Sequence, residues 1–265
     1  MLGAHGSRVT APDWRNHVNE KLDRPLAGQI SVWMQDRLRD AGARGFVLGL
    51  SGGIDSAVAA ALARMACGDN VLAMIMPCHS DPRSAEDAHV VARRLGVKVH
   101  VADLTAAHDA LIPRIPNSGG IELTNIRPRL RMTALYCAAQ TLDYLVLGTS
   151  NKSEYMIGYF TKWGDAAADI RPLGGLYKHE VVDLARELDI PEEIIAKPPT
   201  ADLWDGQTDE NEIGMTYAEL DGILEGLETG ELAGFDPERV EHVRRMIVES
   251  EHKRAPVPVF CRDTR

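Results

Sequence analysis

Long apolar runs are missing from this 265-residue sequence. No stretch approaches the roughly 18 apolar residues of a membrane-spanning helix, and Met1 to Pro12 lacks the apolar core of a signal peptide. A cytoplasmic protein with no membrane partner is expected. Cysteine is scarce as well. The 4 cysteines, Cys67, Cys78, Cys137 and Cys261, lie far apart with no C-x-x-C pair. That excludes a zinc ribbon or a redox dithiol and predicts small buried hydrophobes. Positive charge is in deficit. The 29 Lys and Arg against 39 Asp and Glu leave a net charge of -10, which repels polyanions and speaks against a nucleic-acid partner. A local basic pocket can still hold a nucleotide, because the mean field is screened over about 8 to 10 Å.

What is present is ordinary for a globular chain: 45% hydrophobic and 26% charged residues, enough for one large core. A single domain over 1–265 is expected, with 1–44 as an N-terminal helical segment, 45–254 as the core and 255–265 as a tail. Trp14, Val18 and Leu22, then Ile30, Trp33, Met34, Leu38 and Ala41, recur at helical spacing on either side of Pro25. Phe46 to Leu50 predicts a first strand ending in Ser51-Gly52-Gly53, and Ala57 to Ala66, apolar nearly all round, predicts a buried helix.

Val71 to Met76 and Val97 to Val101 read as the second and third strands. Between them Ser84 and Asp87 resemble a capping box ahead of a helix with Ala88, Val91, Ala92 and Leu95 on one face. Pro116 to Gly120 is a turn or a mobile loop, and a helix follows from Pro128 to about Leu142. Tyr144 to Gly148 is the fourth strand. Thr149 to Leu176 is irregular and too long to be idle in a compact domain. Glu180 to Leu188 is helical up to Pro191, and a last helix carries Val240, Val243 and Ile247. Trp204 to Glu212 is acidic, a solvated loop or a closing lid. Alternating strands and helices predict an α/β fold, a doubly wound, mostly parallel sheet with helices on both faces and ligands at the carboxyl ends of its strands.

The strongest signal is Gly49-Leu50-Ser51-Gly52-Gly53-Ile54-Asp55-Ser56. A strand, a glycine turn with hydroxyls and a helix start together make a nest of backbone N–H groups that binds phosphate. It is not a Walker A loop, since no Lys follows the glycines. An Asp among phosphates makes sense with a bridging divalent cation, so Asp55 is a candidate magnesium ligand.

The string S-G-G-x-D-S resembles the PP-loop ATP pyrophosphatases, which have the adenine nucleotide alpha hydrolase-like fold and transfer AMP to a substrate oxygen. The segments Asn125 to Met132, Leu147 to Glu154, Gly158 to Asp165, Asp169 to Leu173, Tyr177 to Glu180, Lys197 to Asp202 and Glu251 to Arg254 narrow this. Together they resemble the short, ammonia-dependent NAD synthetases over roughly Gly45 to Arg254. Departures are modest: Arg127 and Pro128 stand where the family often has Lys and Ala, and Thr200 where Ser is frequent.

The resemblance implies a ligase forming C–N bonds in NAD biosynthesis. It assigns ATP to Gly49, Leu50, Ser51, Gly52, Gly53, Ile54, Asp55, Ser56, Thr149, Lys178 and Thr200, and Mg2+ to Asp55 and Glu154. It assigns deamido-NAD to Arg129, Lys162, Asp169, His252 and Lys253. Asp55, Lys178 and Asp165 are the catalytic candidates, with Asp165 in the ammonia pocket, where a carboxylate can hold ammonium and take its proton. A homodimer with the substrate site near the subunit contact is also implied. Glutamine-using relatives carry an amidase domain that roughly 45 residues ahead of the first strand cannot hold, so free ammonia is the expected nitrogen source. The competing readings are another AMP-forming PP-loop ligase, including a tRNA-modifying one, and a catalytically silent nucleotide-binding module. The acidic charge opposes the tRNA reading, and intact Asp55, Glu154 and Lys178 oppose the silent one.

Overall fold

The computed structural model describes residues 25–116, 120–201 and 206–262. The helix expected around Trp14 to Leu22, most of the 116–120 turn and residues 202–205 lie outside them. Helix α1 (Leu26–Ala41) buries Ala27, Ser31, Met34 and Leu38 on one stripe and stops at Gly42, which takes the left-handed conformation of a helix C-terminus. It packs on α2 (Ile54–Cys67), whose run of alanines is buried on almost every side.

Strands β1 (Gly45–Gly49), β2 (Val71–Ile75), β3 (Lys98–Val101) and β4 (Tyr144–Val146) form one parallel sheet in the order β3-β2-β1-β4. Side chains alternate between its faces. Phe46, Leu48, Val71, Ala73 and Ile75 join the cluster made with α1, α2, α3 (Pro82–Leu95) and α7 (Lys178–Glu187). Val47, Met74 and Val146 point the other way, towards α5 (Ile126–Leu142) and the side chains of Leu135 and Ala139. Both faces are covered, as expected, except along the edge strand: every residue of β3 is exposed, Val99 and Val101 included.

Several expected boundaries move. Asp81, not Ser84, caps α3, accepting from the Arg83 N–H at 2.9 Å. Pro82 behind it provides a preset first turn, while Asp87 is drawn into an ion pair with Lys197 at 2.6 Å. Helix α5 starts at Ile126, which puts Pro128 inside the first turn, where its missing N–H costs nothing. Of the cysteines only Cys78 is buried; Cys67 is half-buried, and Cys137 and Cys261 are exposed. α4 (Thr105–Leu111) follows β3.

The irregular stretch after β4 contains α6 (Lys152–Ile157), opened by a capping box between Asn151 and Glu154. α8 (Glu192–Ile195) and α9 (Asp209–Ile213) are single turns. α10 (Tyr217–Thr229) packs with α6 and α11 (Pro237–Glu249) around a second core of Ile157, Tyr217, Leu220, Ile223, Leu224, Val240 and Val243. The short α12 (Glu251–Arg254) follows. Among the described residues no helix is long and apolar enough to cross a membrane.

Candidate active site

The order β3-β2-β1-β4 reverses direction between β1 and β4, and a crevice opens beyond the carboxyl ends of strands that part in this way. A cavity of about 750 Å³ lies there, lined by Gly49 to Ser51 after β1 and by Leu147 to Ser150 after β4. The first turn of α2 contributes Gly53, Ile54, Asp55 and Ser56, and no side chain caps that helix. Its amides and the positive end of its dipole are therefore available to an anion.

Internal hydrogen bonds hold the loop. Ser56 Oγ donates to the Gly53 carbonyl at 2.9 Å and accepts from the Ser51 N–H at 3.2 Å. Gly52 sits at φ +81°, and a Cβ there would lie 2.5 Å from the Ser84 carbonyl. Only glycine satisfies both the left-handed backbone and the contact with α3.

Asp55, Glu154, Lys178 and Asp209 come from four different helices, each from the first turn. Lys178 Nζ lies 2.5 Å from Asp55 Oδ2 and 3.6 Å from Glu154 Oε1. Asn151 Nδ2 donates to the other Asp55 oxygen at 2.9 Å. Tyr217 OH donates to Asp209 Oδ2 at 3.1 Å and reaches Glu154 Oε1 at 3.4 Å, while Tyr159 OH donates to Asp209 Oδ1 at 3.1 Å. A second layer aims these groups. Buried Asp221 accepts from Ser153 Oγ at 2.5 Å and from the His179 N–H at 3.0 Å, and Ser153 Oγ accepts from the Lys178 N–H at 3.0 Å. One carboxylate on α10 thereby sets the start of α7 against α6.

Charge in this cluster is unbalanced, with three carboxylates around one ammonium. Burial, followed by the Asp55 charge, pushes Glu154 up to about 8. Burial also raises Asp209. For Lys178, burial works against the ammonium, but Asp55 and Glu154 outweigh it and the pKa is raised. Because folding strengthens proton binding at Glu154, its contribution to stability is complete below the ordinary value of 4.5 and lost as pH rises through about 8. In chelator, the melting temperature is expected to fall across that window by an amount that Glu154→Gln removes. An equal fall in the variant would mean that another group titrates.

The ATP residues expected from sequence line this one cavity, Thr149 and Thr200 among them, with Gly52 supporting the loop from behind. Asp165 lines it too, accepting from the Thr161 N–H at 2.9 Å. Asp165 is exposed towards the cavity, yet desolvation by the protein around its carboxyl raises its pKa. Lys253 reaches the cavity while bonding the Gly158 and Phe160 carbonyls at 2.7 and 3.1 Å. The remaining substrate candidates lie elsewhere. Lys162 Nζ donates to the His252 carbonyl at 2.5 Å, Arg129 donates to the Lys162 carbonyl at 3.3 Å, and Asp169 accepts from the Val146 N–H at 2.7 Å. Sequence alone assigns no role to Asn151, Asp209, Tyr217 or Asp221. The Asn151-x-x-Glu154 spacing was a readable cap signal; Asp209 lay in the acidic stretch read as solvated or as a lid, and it is buried.

A family model described as NAD synthase matches residues 26–257. The chain belongs to this family. It is 47% identical over 227 residues, 84% of this chain and 91% of the relative, to the NH(3)-dependent NAD(+) synthetase of Carboxydothermus hydrogenoformans. Among solved structures, the NMN synthetase from Francisella tularensis superposes with a TM-score of 0.82 at 38% identity, covering 89% of this chain and 98% of that one. The NH3-dependent NAD synthetase from Campylobacter jejuni, in complex with the nitrate ion, gives 0.78 at 30% identity, covering 94% and 99%. The parallel sheet with its flanking helices is thus the fold of the family.

Proposed function

We propose that the protein is an ammonia-dependent NAD synthetase, converting deamido-NAD, ATP and ammonia into NAD, AMP and pyrophosphate. The observation that carries this reading is the single cavity in which the uncapped start of α2, Lys178 and the Asp55–Glu154 carboxylate pair face one another. Surplus buried carboxylate is the donor set of a hard divalent cation. Mg2+ held by Asp55 and Glu154 would supply positive charge to the phosphate oxygens.

The Ser51 to Ser56 loop holds the two terminal phosphates, Thr149 and Thr200 add hydroxyls, and Lys178 neutralises charge on the departing pyrophosphate. A nicotinate carboxylate oxygen attacks the α-phosphorus, the bond to pyrophosphate breaks, and an acyl adenylate forms. Ammonia then attacks the acyl carbon, AMP leaves, and Asp165, made more basic by its surroundings, accepts a proton. No covalent enzyme nucleophile is involved. Arg129, Lys162, Asp169, His252 and Lys253 serve the far part of the dinucleotide, in a site shared within a homodimer.

A second acceptor, the nicotinate mononucleotide, is favoured by the likeness to the Francisella tularensis protein named NMN synthetase. It would undergo the same two steps. The test is to offer each acceptor with MgATP and either ammonium or glutamine. Amide, AMP and pyrophosphate are expected in equal amounts with ammonium, and faster from deamido-NAD. ADP and orthophosphate as products would overturn the mechanism, and preference for the mononucleotide would reassign the substrate.

A further inference from the structure

Outside this cavity, side chains from two separate segments converge on one point. His79 lies in the connection between β2 and α3, while His108 and Asp109 are on α4. His79 Nε2 is 2.6 Å from Asp109 Oδ1, and His108 Nδ1 is 3.1 Å from the same oxygen. The two imidazole rings meet edge to face at 5.3 Å, and one ligand atom from each residue lies within 4.8 Å of the others. We propose that His79, His108 and Asp109 bind one zinc-class divalent ion, which ties α4 to the wall of the nucleotide cavity.

Two imidazole nitrogens and one carboxylate oxygen form a borderline donor set that prefers zinc, cobalt or nickel to magnesium. Both nitrogens already point at the same oxygen of Asp109, so an ion entering between them would take the place of those hydrogen bonds. Binding replaces whatever protons occupy the coordinating nitrogens and releases them to solvent. His108 is nearly enclosed, with its side chain 10% exposed, whereas His79 and Asp109 are 42% and 56% exposed. The site thus has a fixed inner ligand and an open outer side where water completes the coordination. The backbone at His79 is left-handed, φ +51°, which for a residue with a Cβ costs about 1 to 2 kcal/mol. The strain is retained where the ring is turned towards α4. Asp103 acts electrostatically on His79 and favours a cation. The Arg127 guanidinium, 3.5 Å from the His79 carbonyl, opposes one and weakens ions held by charge alone.

The position gives the ion a mechanical role. Ser80, next in the chain, accepts from Arg131 Nη2 at 2.9 Å, and Ser80, Asp81 and Arg131 all line the nucleotide cavity. Thr124 is shared between that cavity and a smaller one of about 340 Å³ beside His108 and Asp109. A metal bridge would hold the connection between β2 and α3 against α4.

The test uses the full chain stripped by chelator, with excess Mg2+ present to occupy the carboxylate cluster, titrated with Zn2+ against a chromophoric chelator. One ion per chain is expected, with binding weakened at least about tenfold in His79→Ala. Zn2+ should raise the melting temperature of the wild type and not that of the variant. His79 is exposed, so the variant folds. If it binds zinc as tightly as the wild type, or if the wild type binds none, the proposal fails.

Discussion

Asp55→Asn is expected to lower AMP and pyrophosphate formation about a thousandfold or more, equivalent to roughly 4 kcal/mol of transition-state stabilisation. Asp55 occupies the first turn of α2, touches Lys178 and Asn151, and faces the cavity with Glu154. Asparagine keeps the shape and can still accept from Asn151, but it removes the charge that a divalent ion requires. The measurement is single-turnover pyrophosphate release, accompanied by circular dichroism to show that the fold persists. Wild-type rates would remove Asp55 from the mechanism.

The second large effect is expected from Lys178→Met. Lys178 is buried, and it is the cation that Asp55, Glu154 and Asp209 share. Its loss leaves three carboxylates crowded in a poorly hydrated space. Removing one partner of a buried pair costs about 3 to 5 kcal/mol, the penalty of the charges left behind. For a chain of this size that corresponds to a melting temperature lower by on the order of 10 °C. Mg2+ should restore part of the stability by neutralising the carboxylate charge that remains. An unchanged melting temperature in chelator would show that the ammonium is not what balances the cluster. Turnover should fall as well, given the role proposed for Lys178 in neutralising the departing pyrophosphate.

Much of the candidate site was legible because its signals are local in the chain. The Ser51 to Ser56 loop needs only a strand, a left-handed glycine and a helix start in succession, and Gly52 meets that requirement at φ +81°. Lys178 and Glu154 could be named from the segments around them. The contact of Lys178 with Asp55 could not, since it spans 123 positions of sequence. Asp209 and Asp221 were hidden for a related reason. Each sits among acidic neighbours that stay at least partly in solvent, and packing against Tyr159 and Tyr217, or against Ser153 and His179, takes it out of water. α10 escaped notice because glycines interrupt its apolar stripe; Gly226 is there because a Cβ would lie 2.6 Å from the Glu231 carbonyl.

The four strands, the parallel sheet, the glycine turn after β1 and the family were already determined by the amino-acid order, through periodicity and motifs that act over a few residues. Which carboxylates share Lys178, that Asp209 is buried, that Asp169 braces β4, and that β3 is left bare were decided only by the folded chain. Short-range preferences act on neighbours along the backbone. The energy of a buried charge depends on every group that folding brings beside it.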